Sequence, residues 1–371
     1  MMFARTLAVV AVTMVAVPMG ATATATAATP VPAHGRLVAL GSLGGGDAWA
    51  DGMNQRGDLI GQSRNAEAEW QGAVWWHDRT QPVTLGVADA MPVAINDHGH
   101  IAARGAAPFL WRNGRITYLS RSTRSQLAVS DINEHDEISG TVTDAGGRSR
   151  AFQWRRGTIT VLSTPKAMNS FGYALNNRGD VVGTLVDPRP GTSRAVLWQH
   201  GRMIRLAGPD SVPVALNDRT QIIGYVAGHP FLWHRGRLRD LLAGTGADYG
   251  RVTGINRAGD LSGLLSRPGT GWQPVLWRAG RPVVIGLPAG HGTAAGINDR
   301  GDVTGLLWPS VGAGESVPYQ PFQWRQGRTT VFDPPSPNLG IHNVGIDNRG
   351  GIAINVETSG SGLALFRSAD R

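Results

Sequence analysis

A small residue, an aliphatic and Asn recur along the chain, followed by a charged turn, Gly and an aliphatic pair. Val93-Ala94-Ile95-Asn96-Asp97-His98-Gly99 is one copy, and Ala295-Gly296-Ile297-Asn298-Asp299-Arg300-Gly301 is another. The Asn position falls at Asn54, Asn96, Asn133, Asn176, Asn217, Asn256 and Asn298, with Asp347 in the last copy. The eight copies stand from 37 residues apart (Asn96 to Asn133) to 49 (Asn298 to Asp347). Each has a second half: apolar residues, Trp, a tight turn with Gly, then a closing strand, as in Pro108-Phe109-Leu110-Trp111-Arg112-Asn113-Gly114-Arg115. The pattern predicts four short strands per copy, here a to d. In the second copy they are Val93–Asn96, His100–Ala103, Pro108–Arg112 and Arg115–Leu119, with Asn113-Gly114 as a hairpin turn.

Four antiparallel strands in about 42 residues is the size of a β-propeller blade. An open β-solenoid competes, and the chain ends decide. His34-Gly35-Arg36-Leu37-Val38-Ala39-Leu40 resembles the fourth strand His200-Gly201-Arg202-Met203-Ile204-Arg205-Leu206, while the last copy stops after a third strand, Leu363–Arg367. The first strand therefore completes the last blade, which removes two exposed sheet edges, whereas a solenoid needs capping units. The prediction is an all-β, eight-bladed β-propeller in residues 29–371.

Before the aliphatic stand Gly52, Ala94, Asp131, Ala174, Ala215, Gly254, Gly296 and Gly345, seven of them small, as crowding around an axis demands. The Trp position, filled by Trp76, Trp111, Trp154, Trp198, Trp233, Trp277 and Trp324, with Phe366 in the last copy, reads as packing between blades.

The repeat resembles the HAF family of probable extracellular repeats, named for a His-Ala-Phe-like motif before the repeat Trp. That motif stands here in degenerate form as Arg150-Ala151-Phe152-Gln153-Trp154, and Leu40-Gly41-Ser42-Leu43-Gly44-Gly45 is similar to the family's Leu-Gly-x-Leu-Gly-Gly element. The resemblance implies an exported repeat protein and brings no catalytic residues.

The first 28 residues point the same way. Arg5 precedes an apolar run, Leu7 to Val17, which Pro18 and Gly20 break before A-x-A sites such as Ala25-Thr26-Ala27. This is the pattern of a signal peptide, and the run is too short for a membrane span. The expected product is secreted, monomeric and free of a membrane span. Among 371 residues there are 51 Gly and no Cys, which excludes disulfides, thiolate metal sites and a Cys nucleophile. Lys166 is the only Lys among 35 basic residues, so the net charge of +8 reflects arginine usage and does not by itself call for nucleic acid.

In a four-stranded meander the a–b and c–d turns share one face, and the b–c and d–a connections share the other. The a–b turns keep nearly one length, while b–c connections run from about five residues after Ala103 to 15 between Gly305 and Pro321. Variable loops on a rigid scaffold are where binding residues sit. Trp49, just ahead of a first strand, Trp70, Trp272 and Trp308 in b–c connections, Tyr249 in a d–a loop, and Tyr319 and Glu315 beside Trp308 are the candidate ligand-binding residues. Such aromatics suit sugar or peptide stacking, or fold back over their own blades. The opposite face carries Arg36, Arg115, Arg202, Arg237, Arg281 and Arg328 after the c–d turns; with Asp58, Asp180, Asp260 and Asp302 interleaved, these read as solvated turns and not as a polyanion site.

His98 and His100 project to one side of a strand without a third ligand, and the turn containing Asp131, Glu134, Asp136 and Glu137 lacks calcium-loop spacing and reads as solvated, so neither metal nor cofactor is expected. No Walker loop, G-x-S-x-G or H-E-x-x-H occurs. The expected function is non-catalytic recognition of a glycan or protein ligand on the b–c/d–a face. The alternative is a polysaccharide hydrolase or lyase at the same face.

Overall fold

The computed structural model describes residues 33–120, 125–166, 168–188, 191–288, 290–308, 319–333, 340–357 and 363–368. The expected signal segment, residues 1–28, and Glu315 lie outside them. The described residues form strands and turns, with no helix. Eight antiparallel four-stranded meanders follow one another as the blades of an eight-bladed β-propeller. Blade 1 runs Gly44–Met53, Leu59–Asn65, Trp70–Trp75 and Val83–Thr84. Blades 2 to 7 open with Met91–Ile95, Gln126–Ile132, Asn169–Leu175, Ser211–Leu216, Tyr249–Ile255 and His291–Ile297. Blade 8 takes Ile341–Ile346, Ile352–Glu357 and Leu363–Ser368 from the C-terminus and its outer strand, Leu37–Leu40, from the N-terminus.

That last pairing closes the ring. Leu37 stands opposite Ser368 and Leu40 opposite Leu365, antiparallel, as the strand-d likeness of Leu37–Leu40 requires. The segment before it does something the repeat did not foretell: Ala33–Gly35 adds a fifth, parallel strand to the outer edge of blade 7, beside Arg328–Phe332. The N-terminal segment thus covers one open edge and completes another blade.

Every a–b pair slips by one residue at the same place, between Val129 and Asp131 in blade 3 and between Gly172 and Ala174 in blade 4, for example. This is a β-bulge, which bends and twists the inner strand. It explains the Gly that follows the aliphatic pair of strand b. A Cβ on Gly183 would lie 1.8 Å from the carbonyl oxygen of Phe171. The c–d turns of blades 2 to 7 carry positive φ at both central residues, such as Asn113 (47°) and Gly114 (87°), or His200 (50°) and Gly201 (73°). That is the type I′ geometry matching strand twist, and it puts the next residue, Arg115 or Arg202, at the start of the outermost strand.

The core lies between blades. Ile60 and Val74 of blade 1 pack with Ile101, Phe109 and Trp111 of blade 2, and Ala102 and Leu110 of blade 2 pack with Ile138, Phe152 and Trp154 of blade 3. Trp198, Trp233 and Trp277 repeat this arrangement; Trp324 does so half-buried. Register corrects two positions. The Trp residues stand opposite the first residue of strand b, as Trp111 does opposite Ile101. In blade 1 that partner is Trp75, opposite Leu59, and not Trp76. Trp75 is wholly buried and donates from Nε1 to the Gly41 carbonyl at 2.8 Å, whereas Trp76 is half-buried beside Trp111. In blade 8 the position belongs to Ser368, whose Oγ accepts the Ile352 N–H. Phe366, opposite Ile354, fills the place that Phe109 holds in blade 2. A Trp-Trp pair and a missing Trp defeat pattern matching, and only pairing resolves them.

Trp75→Ala is expected to cost about 3–5 kcal/mol, the usual penalty for emptying a buried Trp site, and Trp76→Ala distinctly less. Urea denaturation of the two variants checks this; equal losses would contradict the assigned register.

Candidate functional site

The Asn of each repeat is a circumferential hydrogen-bonding device. Its Oδ1 accepts the backbone N–H groups two and four residues on, as Asn54 does from Arg56 (3.0 Å) and Asp58 (2.9 Å). This local turn pins the amide, and Nδ2 then donates to the carbonyl of the equivalent residue in the next blade. Asn54 donates to Asn96 at 2.9 Å, Asn96 to Asn133 at 3.0 Å, and Asn133 to Asn176 at 3.0 Å. Asn176, Asn217, Asn256 and Asn298 continue the ladder as far as the Asp347 carbonyl. Asp347 cannot extend it, because an ionised carboxylate has no N–H. The seam is held instead by Asn348 N–H to Gln55 O (2.9 Å), Arg349 Nη2 to Arg56 O (2.8 Å) and Arg367 to the carbonyls of Gly57 and His77 (3.1 and 2.6 Å).

The acids four residues after these Asn positions are not solvated. Asp58, Glu137, Asp180 and Asp302 are buried, and each accepts from its own Asn Nδ2. Burial works against the Asp58 carboxylate, but hydrogen bonds from Asn54 and from the His77 backbone and ring outweigh it and hold its pKa below the ordinary value. Asp136 is lowered in the same way, against its burial, by His100 and Arg112. His98 Nδ1 lies 3.1 Å from Glu134 and His100 Nδ1 2.7 Å from Asp136, each a carboxylate of the next blade. The solvated reading of the 131–137 turn is therefore corrected. Asp131, Glu134 and Asp136 are shared with a neighbouring blade, which sequence spacing does not display, while Glu137 is held by Asn133, Gln153 and Arg155 of its own.

The residues just after the Asn positions form a second ring at the axial mouth. The Gln55 N–H donates to Asp97, Asp97 to Glu134, Glu134 to Asn177 and Asn177 to Asp218. Arg257 interrupts this ring, since a guanidinium accepts nothing. It lies 3.4 Å from Asp299 in the adjacent blade and 3.4 Å from Asp97, four blades away across the axis. Below the ring is a polar cavity of about 230 Å³ whose wall includes Asp131. Desolvation raises the Asp131 pKa from 3.8 to about 7, against the N–H groups of Leu175 and Ile132 that its oxygens accept. Glu134 is also raised, by desolvation and the nearby Asp97.

At the opposite end, the b–c/d–a face, four of the seven candidate residues come together. Tyr249 stacks on Trp272 (centroids 6.4 Å apart, 24° between planes), Trp272 meets Trp308 edge-on (5.9 Å, 77°), and Trp308 meets Tyr319 edge-on (5.7 Å, 82°). The string crosses from blade 6 to blade 7, with Tyr249 44% exposed and the other three half-buried. His291 stands opposite Trp308 and against Gly271. Trp49 and Trp70 lie elsewhere. Trp49 contacts His342 (5.2 Å), itself 3.3 Å from Glu357, while the Arg64 guanidinium covers Trp70 at 5.2 Å. Apart from Tyr319, which stands just before strand c of blade 7, these aromatics occupy strand positions and not loops: Trp49 is inside strand a, Trp70 and Trp272 in strand c, Trp308 ends strand b and Tyr249 starts strand a. The strands reach further toward this face than the apolar pattern extends, because pairing continues through polar residues such as Arg267 opposite Gly271.

No family model and no curated protein sequence matches the chain. Solved structures do. The chain is similar to dipeptidyl peptidase 4 of Porphyromonas gingivalis, with 11% identity, a TM-score of 0.54, and 81% of this chain and 56% of that one covered. It is similar to a post-proline cleaving enzyme of Rickettsia typhi, with 10% identity, a TM-score of 0.54, and 84% and 58% covered. It also matches the β-propeller domain of the Trilobed protease of Pyrococcus furiosus, with 12% identity, a TM-score of 0.51, and 78% and 100% covered. The chain thus spans somewhat over half the length of the two peptidases and all of the isolated propeller domain. At these identities the likeness is one of fold.

Two outcomes follow from the axial rings. Asn176→Ala leaves the buried N–H of Asp180 without its acceptor and removes a rung, so a loss of about 2 kcal/mol is expected in denaturant titration. For Asp131, the folded chain binds the proton more tightly than the unfolded chain, so this group's contribution to stability falls as pH rises from about 4 to 7 and stays low above. Carboxyl ¹³C NMR should place its midpoint near 7; a midpoint near 4 would contradict the desolvated setting.

Proposed function

We propose that the protein is an exported, non-catalytic recognition propeller that binds a glycan on its b–c/d–a face. The string Tyr249–Trp272–Trp308–Tyr319 carries this reading. Aromatic rings that brace one another edge-on lose little further freedom on binding, and an exposed ring face at Tyr249 offers an apolar platform to the C–H face of a sugar. Export rests on the residue 1–28 pattern and on the likeness to HAF repeats, both features of sequence. The hydrolase alternative drew on Glu315, which lies outside the described residues, so the rings are what support a ligand here. The peptidase activities named among the similar structures belong to those proteins.

A glycan array probed with the purified protein tests the reading. Tyr249→Ala is expected to weaken the strongest glycan signal at least tenfold, about 1.4 kcal/mol or more, while shifting the melting temperature far less than Trp154→Ala. Trp272→Ala should weaken it as well. Binding unchanged in both variants, or a Tyr249→Ala destabilisation matching that of Trp154→Ala, would reduce the string to packing.

A further inference from the structure

The six arginines that follow the c–d turns gain a different meaning once the acids of the same face are located. Arg36, Arg115, Arg202, Arg237, Arg281 and Arg328 are exposed, and none forms an ion pair among the described residues. The acids expected to interleave with them are spent elsewhere. Asp58, Asp180 and Asp302 are buried on the Asn ladder, and Asp260 is held by Arg278 at 3.4 Å. The pairing arginines come from the end of strand c or from the a–b turn: Arg112 with Asp136, Arg155 with Glu137, and Arg300 and Arg325 with Asp302. The strand-d arginines lie outside that shell, one in each of six blades; blades 1 and 3 have none at that place.

The remaining charges are sorted between the two ends. At the b–c/d–a end Glu67, Glu69, Asp89, Asp144, Asp210 and Asp248 are exposed, outnumbering the exposed Lys166 and Arg205, whereas Arg64, Arg104, Arg148, Arg194 and Arg267 are half-buried. Asp78 is an exposed acid at the arginine end and already faces Arg79 at 3.8 Å. One end of the propeller therefore presents an uncompensated guanidinium rim around a carboxylate-lined mouth. Exposed charges separated by more than about 10 Å are screened at ordinary salt, so acids at the far end do not cancel the rim.

We propose that this rim is a second binding surface, for an acidic polysaccharide whose carboxylates engage successive guanidinium groups around the ring. Guanidinium forks match carboxylates in bidentate geometry. The acidic mouth repels a polyanion from the axis and leaves the rim as its path. The exposed Tyr side chains, Tyr118 and Tyr249, lie at strand ends toward the other face, so they give the rim no tyrosine stacking platforms of the kind single-stranded nucleic acid uses. A polyuronate needs none.

The test is binding of the purified protein to immobilised polygalacturonate over a salt series, with dextran and duplex DNA as comparison surfaces. The wild-type protein is expected to hold polygalacturonate and not dextran, with affinity falling at least about tenfold over a fourfold rise in salt as counterion release predicts. Changing Arg115, Arg202, Arg237 and Arg281 together to Ser should cut affinity at least tenfold and flatten the salt dependence. Changing the same four to Lys should keep the salt dependence, and both variants should melt as the wild type does. Tyr249→Ala should leave this binding untouched, which separates it from the aromatic face. Wild-type retention no better than on dextran, serine variants that bind as before, or tighter binding to duplex DNA than to the polyuronate would overturn the proposal.

Discussion

The hydrogen bond from each repeat Asn to the next blade's main chain is the constraint on which the rest of the structure depends. A propeller blade can bury its faces only against neighbours, and apolar packing alone does not fix the angle at which eight sheets meet. The Asn side chain does, because two backbone N–H groups of its own turn lock Oδ1 and leave Nδ2 one direction to donate. Buried polar groups of this kind specify an arrangement more than they stabilise it, since an unmet partner is costly. The acids four residues on satisfy the second Nδ2 hydrogen, which is why they are buried and not solvated.

The ladder ends where the chain begins and ends. Asp347 holds its own turn through Oδ1, as the Asn residues do, but has nothing to donate across the seam. Blade 8 and blade 1 are joined instead by main-chain and guanidinium donors and by the Asn355 amide, which donates to the Ala50 carbonyl and accepts its N–H, and Leu37–Leu40 adds a strand's worth of pairing. The seam thus differs chemically from the other seven interfaces, and it adjoins the one blade that chain continuity does not hold together, since the outer strand of blade 8, Leu37–Leu40, is far in sequence from its partner Leu363–Ser368.

The two ends of the ring are unlike. The a–b/c–d end repeats one turn chemistry through most of the ring, because its turns are short and their geometry is set by positive-φ residues and Asn caps. Its exposed strand-d arginines therefore recur at the same place in six of the eight blades. The b–c/d–a end departs from the repeat, with its aromatic string confined to blades 6 and 7 and further aromatic contacts at Trp49 and Trp70. Regularity suits a repeating ligand, and singularity suits a specific one.

The blade count, the four-stranded unit, the closing strand and the c–d turns were legible in the sequence, since each depends on local pattern: alternation, Asn-Gly and similar turn pairs, and the likeness of residues 34–40 to a fourth strand. Tyr249, Trp272, Trp308 and Tyr319 could be named as candidates but not joined, because they come from strands of two blades. What only the tertiary structure decided is which groups share a partner across a blade boundary. Trp75 over Trp76, the burial of Asp58 and Asp180, the reach of Arg257 to Asp97 and the freedom of the rim arginines all turn on contacts between residues about 40 or more positions apart or on register. A repeat shows in one dimension what each unit is; the charge left over after neighbours have paired is a property of the closed ring.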